Sequence, residues 1–504
     1  MTKEILLING INVGGRIQIP VGLVYLASSL KKHGYKPVIY QVIDDATLAT
    51  CRDMINKNDY LFVGFTVWLG PSSLNMLDLA GCAKKRNIPT VVGGKFISSL
   101  KHDALNEANI DVAAIGYAEE TVVELADCFF NGGGLSKVKG IIFRDKRGEI
   151  ITTPPRIIEN TNLDIYDYDL SLINDWSQYV IKPNSECVIL DPLETQRGCL
   201  FRCRFCFHCD DGLYSANKKK KIYAHSIDYV VERAKELKKL TNVKKLSFCD
   251  DEFWIDGERS LKIVERLKQI DIEMLFMRIR FTSINDDMLK ELKKLGVYSV
   301  ACGLESGNAR VLKTMNKGLT LDVVKEKIEI LNRNQVVVNT CLILGCPTET
   351  KEEMVDSVRF SLGLRKINKN LNIVAFFYSP QPSTDFGTLA EKEGFKRPRN
   401  IKDWVSTSAE NMDIGGQWLP WYNETQKKYM KRRNDYFFIN STLCSVLYGY
   451  NPKSRFVKTL WLPLFLLERV TFFRLYYWNF SLPIDAKIGM SLYRLYSRCR
   501  QLTN

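Results

Sequence analysis

Cys199, Cys203 and Cys206 are spaced Cys-x3-Cys-x2-Cys within one short segment, Thr195–His208. Cysteine thiolates are soft metal ligands, and three in one loop can converge on a single iron–sulfur cluster, which ordinarily takes four cysteines. Three leave one iron with an open coordination position, and an open position separates a reactive metal site from a structural one. A structural zinc ion is the competing reading, with His208 or Cys209 as fourth ligand. A zinc ribbon wants a second paired-cysteine knuckle, and none follows in the sequence.

The loop needs a scaffold, and the surrounding residues describe one. From about 187 to 395, apolar strand-like runs alternate with helical segments. They give about six βα units where a closed barrel needs eight, so the barrel is partial and open on one side. The cysteine loop follows the first of these strands, at the end where βα loops gather. Later strand ends carry further candidates. Asp250 and Asp251 follow the run Lys245–Phe248, where an acidic residue is more often a helix N-cap than a ligand. Arg278 and Arg280, two apart, face one side of a strand and could clamp a carboxylate. Gly303-Leu-Glu305-Ser306-Gly307 and Gly345-Cys-Pro-Thr-Glu349-Thr350 close two more strands.

Residues 1 to 134 show the same alternation in five strand-like runs, which implies a Rossmann-like parallel sheet with helices on both faces. Ligands of such sheets lie at the carboxyl ends of the strands, where Gly64, Gly93, Gly94 and Gly116 stand. Asn131-Gly-Gly-Gly134 reads as a flexible linker. A hairpin around Asp145–Gly148 then belongs to a bridging segment, 135–186, ahead of the 187–395 barrel.

The cysteine spacing, with Phe205 before the last ligand, resembles the signature of the radical S-adenosylmethionine (radical SAM) enzymes. The later strand ends match the same family in order, including Glu305-Ser306-Gly307 followed by Lys317-Gly318-Leu-Thr320. The resemblance implies a [4Fe-4S] cluster held by Cys199, Cys203 and Cys206, with S-adenosylmethionine on its open iron. It further implies cofactor contacts from Phe205, from Asp250 or Asp251 to the ammonium, and from Arg278, with Arg280 as alternative, to the carboxylate. Glu305 and Ser306 would serve the ribose and Gly345 the adenine. In front, Pro20-Val-Gly22-Leu-Val-Tyr25, Val91-Val-Gly93-Gly94 and Gly116-Tyr-Ala-Glu119 resemble the cobalamin-binding domain of one branch of that family. This implies corrin contacts from Gly22, Tyr25, Thr66, Gly93, Gly94, Gly116 and Glu119. The chain departs from the pattern at Ala118, where glycine is commoner, and has no Asp-x-His-x-x-Gly motif; His33 and His102 sit in polar, surface-like contexts. The implied reaction is reductive cleavage of S-adenosylmethionine to a 5′-deoxyadenosyl radical that abstracts hydrogen from an unactivated carbon. Methyl transfer from cobalamin follows in the leading reading; cyclisation, oxidation or rearrangement is the alternative, and a non-catalytic iron–sulfur protein a third.

Composition adds compartment and partners. Fourteen cysteines without a secretory-type leader point to a reducing cytoplasm. An electron donor such as flavodoxin or ferredoxin is implied by the chemistry. The 504-residue chain carries a net charge of +14, and Lys427–Asn504 holds fourteen Lys and Arg against three acidic residues. Region 396–504 is expected to be mainly helical, and Trp461, Phe472, Phe473 and Trp478 lie among its basic residues. It suits a helical cap or a peripheral contact with an anionic membrane face, and with the latter a lipid-linked rather than a free small-molecule substrate. The run Leu460–Leu467 is too short to span a membrane, and no nucleic-acid module is recognisable.

Overall fold

The computed structural model describes residues 2–10, 17–182, 186–207, 221–407, 416–433 except 429, 436, 440 and 462–477. His208, Cys209, Trp461 and Trp478 lie outside the described residues.

The first sheet has seven strands: β1 (Glu4–Gly10), β2 (Lys36–Val42), β3 (Val63–Thr66), β4 (Thr90–Gly93), β5 (Val112–Ala114), β6 (Ile141–Arg144) and β7 (Ile150–Thr152). Their order is β2-β1-β3-β4-β5-β6-β7, with the first five parallel. Helix Val21–Lys32 packs beside Glu119–Asn131, and Asp45–Lys57 beside Ser72–Lys85. Because β1 lies between β2 and β3, successive crossovers leave in opposite directions there, and a crevice opens at the carboxyl ends of β1 and β3. The 145–148 hairpin does not stand apart as a bridge. β6 pairs antiparallel with β5 and β7 with β6, so the hairpin completes the sheet. Buried Ile141 and Phe143 join the core beneath it. His33 and His102 are exposed, as expected.

The second unit begins with β8 (Val180–Ile181) and β9 (Val188–Leu193); a two-stranded stem, β10 (Gln196–Arg197) and β11 (Tyr223–Ala224), follows. The remaining strands are β12 (Lys245–Phe248), β13 (Glu273–Met274), β14 (Met277–Arg278), β15 (Ser299–Glu305), β16 (Val337–Leu344) and β17 (Leu371–Phe377). β9, β12 and β13 are mutually parallel, as are β14 to β17. β13 and β14 are halves of one strand: Leu275 N donates to Leu246 O on one side, and Ile279 N to Ala301 O on the other. The arc therefore has the six parallel positions expected. Along β16 and β17 every second residue is buried against helices. The opposite row, which includes Cys341, Val374 and Phe376, faces the lumen.

A buried polar chain ties the two units. Tyr25 Oη lies 2.7 Å from His225 Nε2, and His225 Nδ1 lies 2.9 Å from Asp164 Oδ1. The imidazole stacks on Tyr229 at 4.2 Å. Burial lowers its pKa to about 4, with Arg197 and Arg259 acting in the same direction and Asp164 opposing. The folded protein thus prefers neutral His225. Above pH 6.5 the unfolded chain is neutral there too and nothing is lost. As pH falls from 6.5 toward 4, the unfolded state gains a proton that the folded state refuses, which costs up to about 3 kcal/mol. Thermal unfolding is expected to lose stability over that window in the wild type and visibly less in His225→Phe; identical pH slopes would refute the clamp.

Candidate active site between barrel and sheet

The cysteine loop leaves the barrel through the β10·β11 stem, in which Gln196 pairs with Ala224 and Arg197 with Tyr223. Gly198 at φ +97° turns the chain, and a Cβ there would stand 2.7 Å from Lys221 O, so only glycine lets the strands close. The loop is then fastened to the barrel mouth. Arg204 N donates to Met315 O at 3.0 Å, Asn316 Nδ2 to Arg202 O at 2.8 Å, and Phe386 N to Arg204 O at 3.0 Å. Cys203 is buried, Cys199 and Cys206 are partly exposed, and none is in a disulfide. Among the described residues no three His, Cys, Asp or Glu side chains converge on one point.

The surroundings of Cys203 fit an anionic cluster. Arg280 Nη1 lies 3.9 Å from its sulfur, and Lys317 is close enough to feel its charge. Burial works against the Lys317 ammonium, but Glu305 and Cys203 outweigh it and hold its pKa above the ordinary lysine value. Lys317 Nζ meets Glu305 Oε1 at 2.8 Å, and Cys341 Sγ donates to Glu305 Oε2 at 3.4 Å. Glu305 sits at φ +68°. Gly303 makes room for the pair: a Cβ there would overlap the Glu305 carboxylate and stand 2.8 Å from Lys317 Nζ. Phe205 completes this corner, 6.0 Å below Lys317 and edge-on to Phe386.

Several expected contacts fall elsewhere. Arg278 forks onto Asp191 at 3.1 and 2.7 Å and donates to Phe248 O. Strand pairing ends at Arg278, and the chain turns into Phe281–Ser283, which carries Arg280 to the cluster side. There the Arg280 guanidinium stacks 3.7 Å over Phe201, and its buried Nε has no hydrogen-bond partner among the described residues. An unpartnered donor beside the cluster loop suits a cofactor carboxylate. Asp250 is buried and already accepts from Thr195 N at 2.7 Å, from the Thr195 hydroxyl and from Gln196 N at 3.3 Å. It latches the loop stem, and burial raises its pKa to about 7. Asp251 pairs with Lys95 of the sheet domain at 3.1 Å. Of the three carboxylates in this run, the one on the side of the barrel cations is Glu252, whose Oε1 accepts from the backbone N–H of Arg280 at 3.2 Å. Burial raises its pKa to about 7 against the pull of Arg280 and Lys317. Glu252 was missed because the run Asp250-Asp251-Glu252 offers three carboxylates and only the turn decides which points inward. Ser306 is fully buried, hydrogen-bonded to Ser357 at 2.8 Å, and so fastens a helix to the barrel. Gly345 N donates to Glu349 Oε2 at 2.6 Å, and a Cβ on Gly345 would meet Leu419 at 2.9 Å, so the C-terminal region seals that loop.

The crevice of the first sheet is a cavity of about 620 Å³ closed on one side by the barrel. Gly22, Thr66, Gly93, Gly94, Gly116 and Glu119 line it from the sheet domain. Asp191, Glu194, Arg197, Cys249, Asp251 and Arg278 line it from the barrel. Small residues on one wall and polar groups on the other suit a bulky, amide-rimmed ring such as a corrin. No histidine lines it among the described residues. Tyr25 lies one layer behind the wall, its hydroxyl committed to His225.

The profile of the Radical SAM superfamily matches residues 193–361, and that of the B12 binding domain matches residues 8–126. An uncharacterised methyltransferase of Pyrococcus horikoshii is 27% identical over 348 residues, 68% of this chain and 72% of that one. The anaerobic magnesium-protoporphyrin IX monomethyl ester cyclase of Rubrivivax gelatinosus is 27% identical over 391 residues, 74% of this chain and 66% of that one. Among solved structures, the radical S-adenosylmethionine methyltransferase TsrM of Kitasatospora setae, with cobalamin and a [4Fe-4S] cluster bound, superposes at TM-score 0.62 with 16% identity, covering 78% of this chain and 75% of that one. The cysteine loop with most of the barrel thus falls within the Radical SAM match and most of the sheet with its crevice within the B12 binding match, and the chain carries a radical SAM domain preceded by a B12-binding domain.

Proposed function

We propose that this enzyme is a cobalamin-dependent radical methyltransferase acting on an unactivated carbon. The observation that carries the reading is the shared wall: Asp191, Arg197 and Arg278 belong to the barrel yet line the sheet-domain cavity, so the two cofactor sites are adjacent. When bound, S-adenosylmethionine on the reduced cluster supplies the carbon-centred radical, and cobalamin supplies the methyl group. The chain's own part is positional. Cys199, Cys203 and Cys206 hold the cluster; Arg280, Glu252, Lys317 and Glu305 orient S-adenosylmethionine; the glycines at the sheet crevice admit the corrin. In the lumen, Val374 and Phe376 are 42% and 46% exposed on the row that includes Cys341, an apolar wall that supports a substrate with a hydrocarbon face. Anaerobic reconstitution with hydroxocobalamin, followed by mass analysis of metabolites from a deletion strain, tests this. A bound corrinoid and a metabolite one methylene lighter in the deletion strain are expected. No corrinoid, with a product altered by a ring or an oxidation, would instead favour cyclisation, the activity named for the Rubrivivax relative.

Two partner assignments accompany the reading. A flavodoxin or ferredoxin would deliver the electron. Helix Leu462–Tyr477 buries Thr471 and Leu475 against helix Lys351–Ile367, while Leu466, Val470 and Phe473 form an exposed stripe at helical spacing beside Arg469. No helix of the described residues is long and apolar enough to cross a membrane. The stripe supports peripheral binding: flotation with anionic liposomes is expected and should be lost in Leu466→Glu/Phe473→Glu. Flotation that is absent, or indifferent to those changes, would leave this helix as a plain cap.

A further inference from the structure

Arg197 stands two residues before the cluster ligand Cys199, yet its side chain reaches into the other domain. Its guanidinium is buried, donates through Nη1 to Glu119 and through Nε to Glu194, and lies 4.5 Å over the Tyr25 ring and 5.4 Å from that of Tyr117. Glu119, Tyr25 and Tyr117 come from the corrin-side motifs, and Glu119 opens helix Glu119–Asn131 directly behind the cavity loop at Gly116. The backbone of Arg197 is equally committed: it pairs with Tyr223 to close the stem, and Gly198 next to it tolerates no Cβ. Tyr117 packs edge-on to Tyr223 at 5.6 Å, so a second contact runs between the same loop and the same stem. A group that orders the Gly116–Glu119 loop therefore orders the cluster stem through the buried Arg197 ion pair, with the Tyr117–Tyr223 contact beside it.

We infer that Arg197 is a positioning residue that couples corrinoid binding to the cluster loop, so that filling the cavity tightens the cluster site's hold on S-adenosylmethionine. The inference rests on the two-cofactor reading above. Coupling of this kind is reciprocal, so it can be measured from either side. A guanidinium serves where an ammonium would not, because its planar fork reaches two carboxylates while its face lies on an aromatic ring.

The test uses full-length, cluster-reconstituted protein with and without hydroxocobalamin. The dissociation constant of S-adenosylmethionine is read from the change it makes in the electron paramagnetic resonance spectrum of the reduced cluster. In the wild type, hydroxocobalamin is expected to tighten S-adenosylmethionine by roughly fivefold or more. In Arg197→Gln the ratio is expected to fall to about one while iron content stays at the wild-type level, and Arg197→Lys is expected to restore only part of it. Should Arg197→Gln fail to take up a cluster, Glu119→Gln, which leaves the stem untouched, is expected to lose the coupling as well. A wild-type ratio preserved in Arg197→Gln or Glu119→Gln, or a ratio of one in the wild type, overturns the inference. A wild type that binds no hydroxocobalamin overturns the two-cofactor reading instead.

Discussion

Cys203→Ala is expected to leave a folded protein that no longer cleaves S-adenosylmethionine. Cys203 is the buried member of the three and lies between Arg280 and Lys317, the two cations that face the loop. With two ligands left, the cluster loses its anchorage on the barrel side. The barrel itself does not depend on the thiol, because the loop is fastened by backbone contacts from Arg202, Arg204 and Phe386. Removing one sulfur costs at most a small cavity, of order 1 kcal/mol. The expected result is iron and sulfide content well below wild type, 5′-deoxyadenosine formation at background, and an unchanged far-ultraviolet circular dichroism spectrum. Cleavage that survives in Cys203→Ala would overturn the catalytic reading.

Lys317→Met is expected to produce the largest loss outside the cysteines. The ammonium is buried against Glu305 at 2.8 Å, and removing one partner of a buried pair costs about 3–5 kcal/mol because the other charge is stranded. Glu305 cannot turn away: its backbone is held at φ +68° and the Cys341 thiol occupies its second oxygen. The same change removes a positive charge beside Cys203. The melting temperature and S-adenosylmethionine affinity should therefore both fall. Adding Glu305→Gln separates the two effects, since a neutral pair relieves the stranded carboxylate without restoring the cation. The double variant is expected to regain much of the stability and little of the affinity. A double variant that recovers both would show that Lys317 serves the fold alone.

What could be read from the sequence follows from how local each signal is. The cysteine spacing and the strand-end glycines are contiguous patterns, and six of the seven residues expected around the corrin do line the cavity. Tyr25 carries the motif's spacing, but a motif gives no depth, and its hydroxyl is drawn to His225, two hundred positions away. Arg278 and Arg280 share a face only while the strand continues, and it stops between them. The hairpin at Asp145–Gly148 was legible as a hairpin, but its attachment to β5 is a long-range pairing with no local mark. Glu252 and Arg197 gain their meaning from neighbours brought together by the barrel, which no spacing rule foretells.

The most direct test gives the anaerobically reconstituted enzyme hydroxocobalamin, a flavodoxin reducing system and S-adenosylmethionine deuterated in its methyl group. The predicted result is one corrinoid per chain, labelled methyl recovered with that corrinoid, and 5′-deoxyadenosine that disappears in Cys203→Ala. A protein that retains no corrinoid, or that leaves all the label in S-adenosylmethionine and methionine, would contradict a methyl transfer built across the wall of Asp191, Arg197 and Arg278.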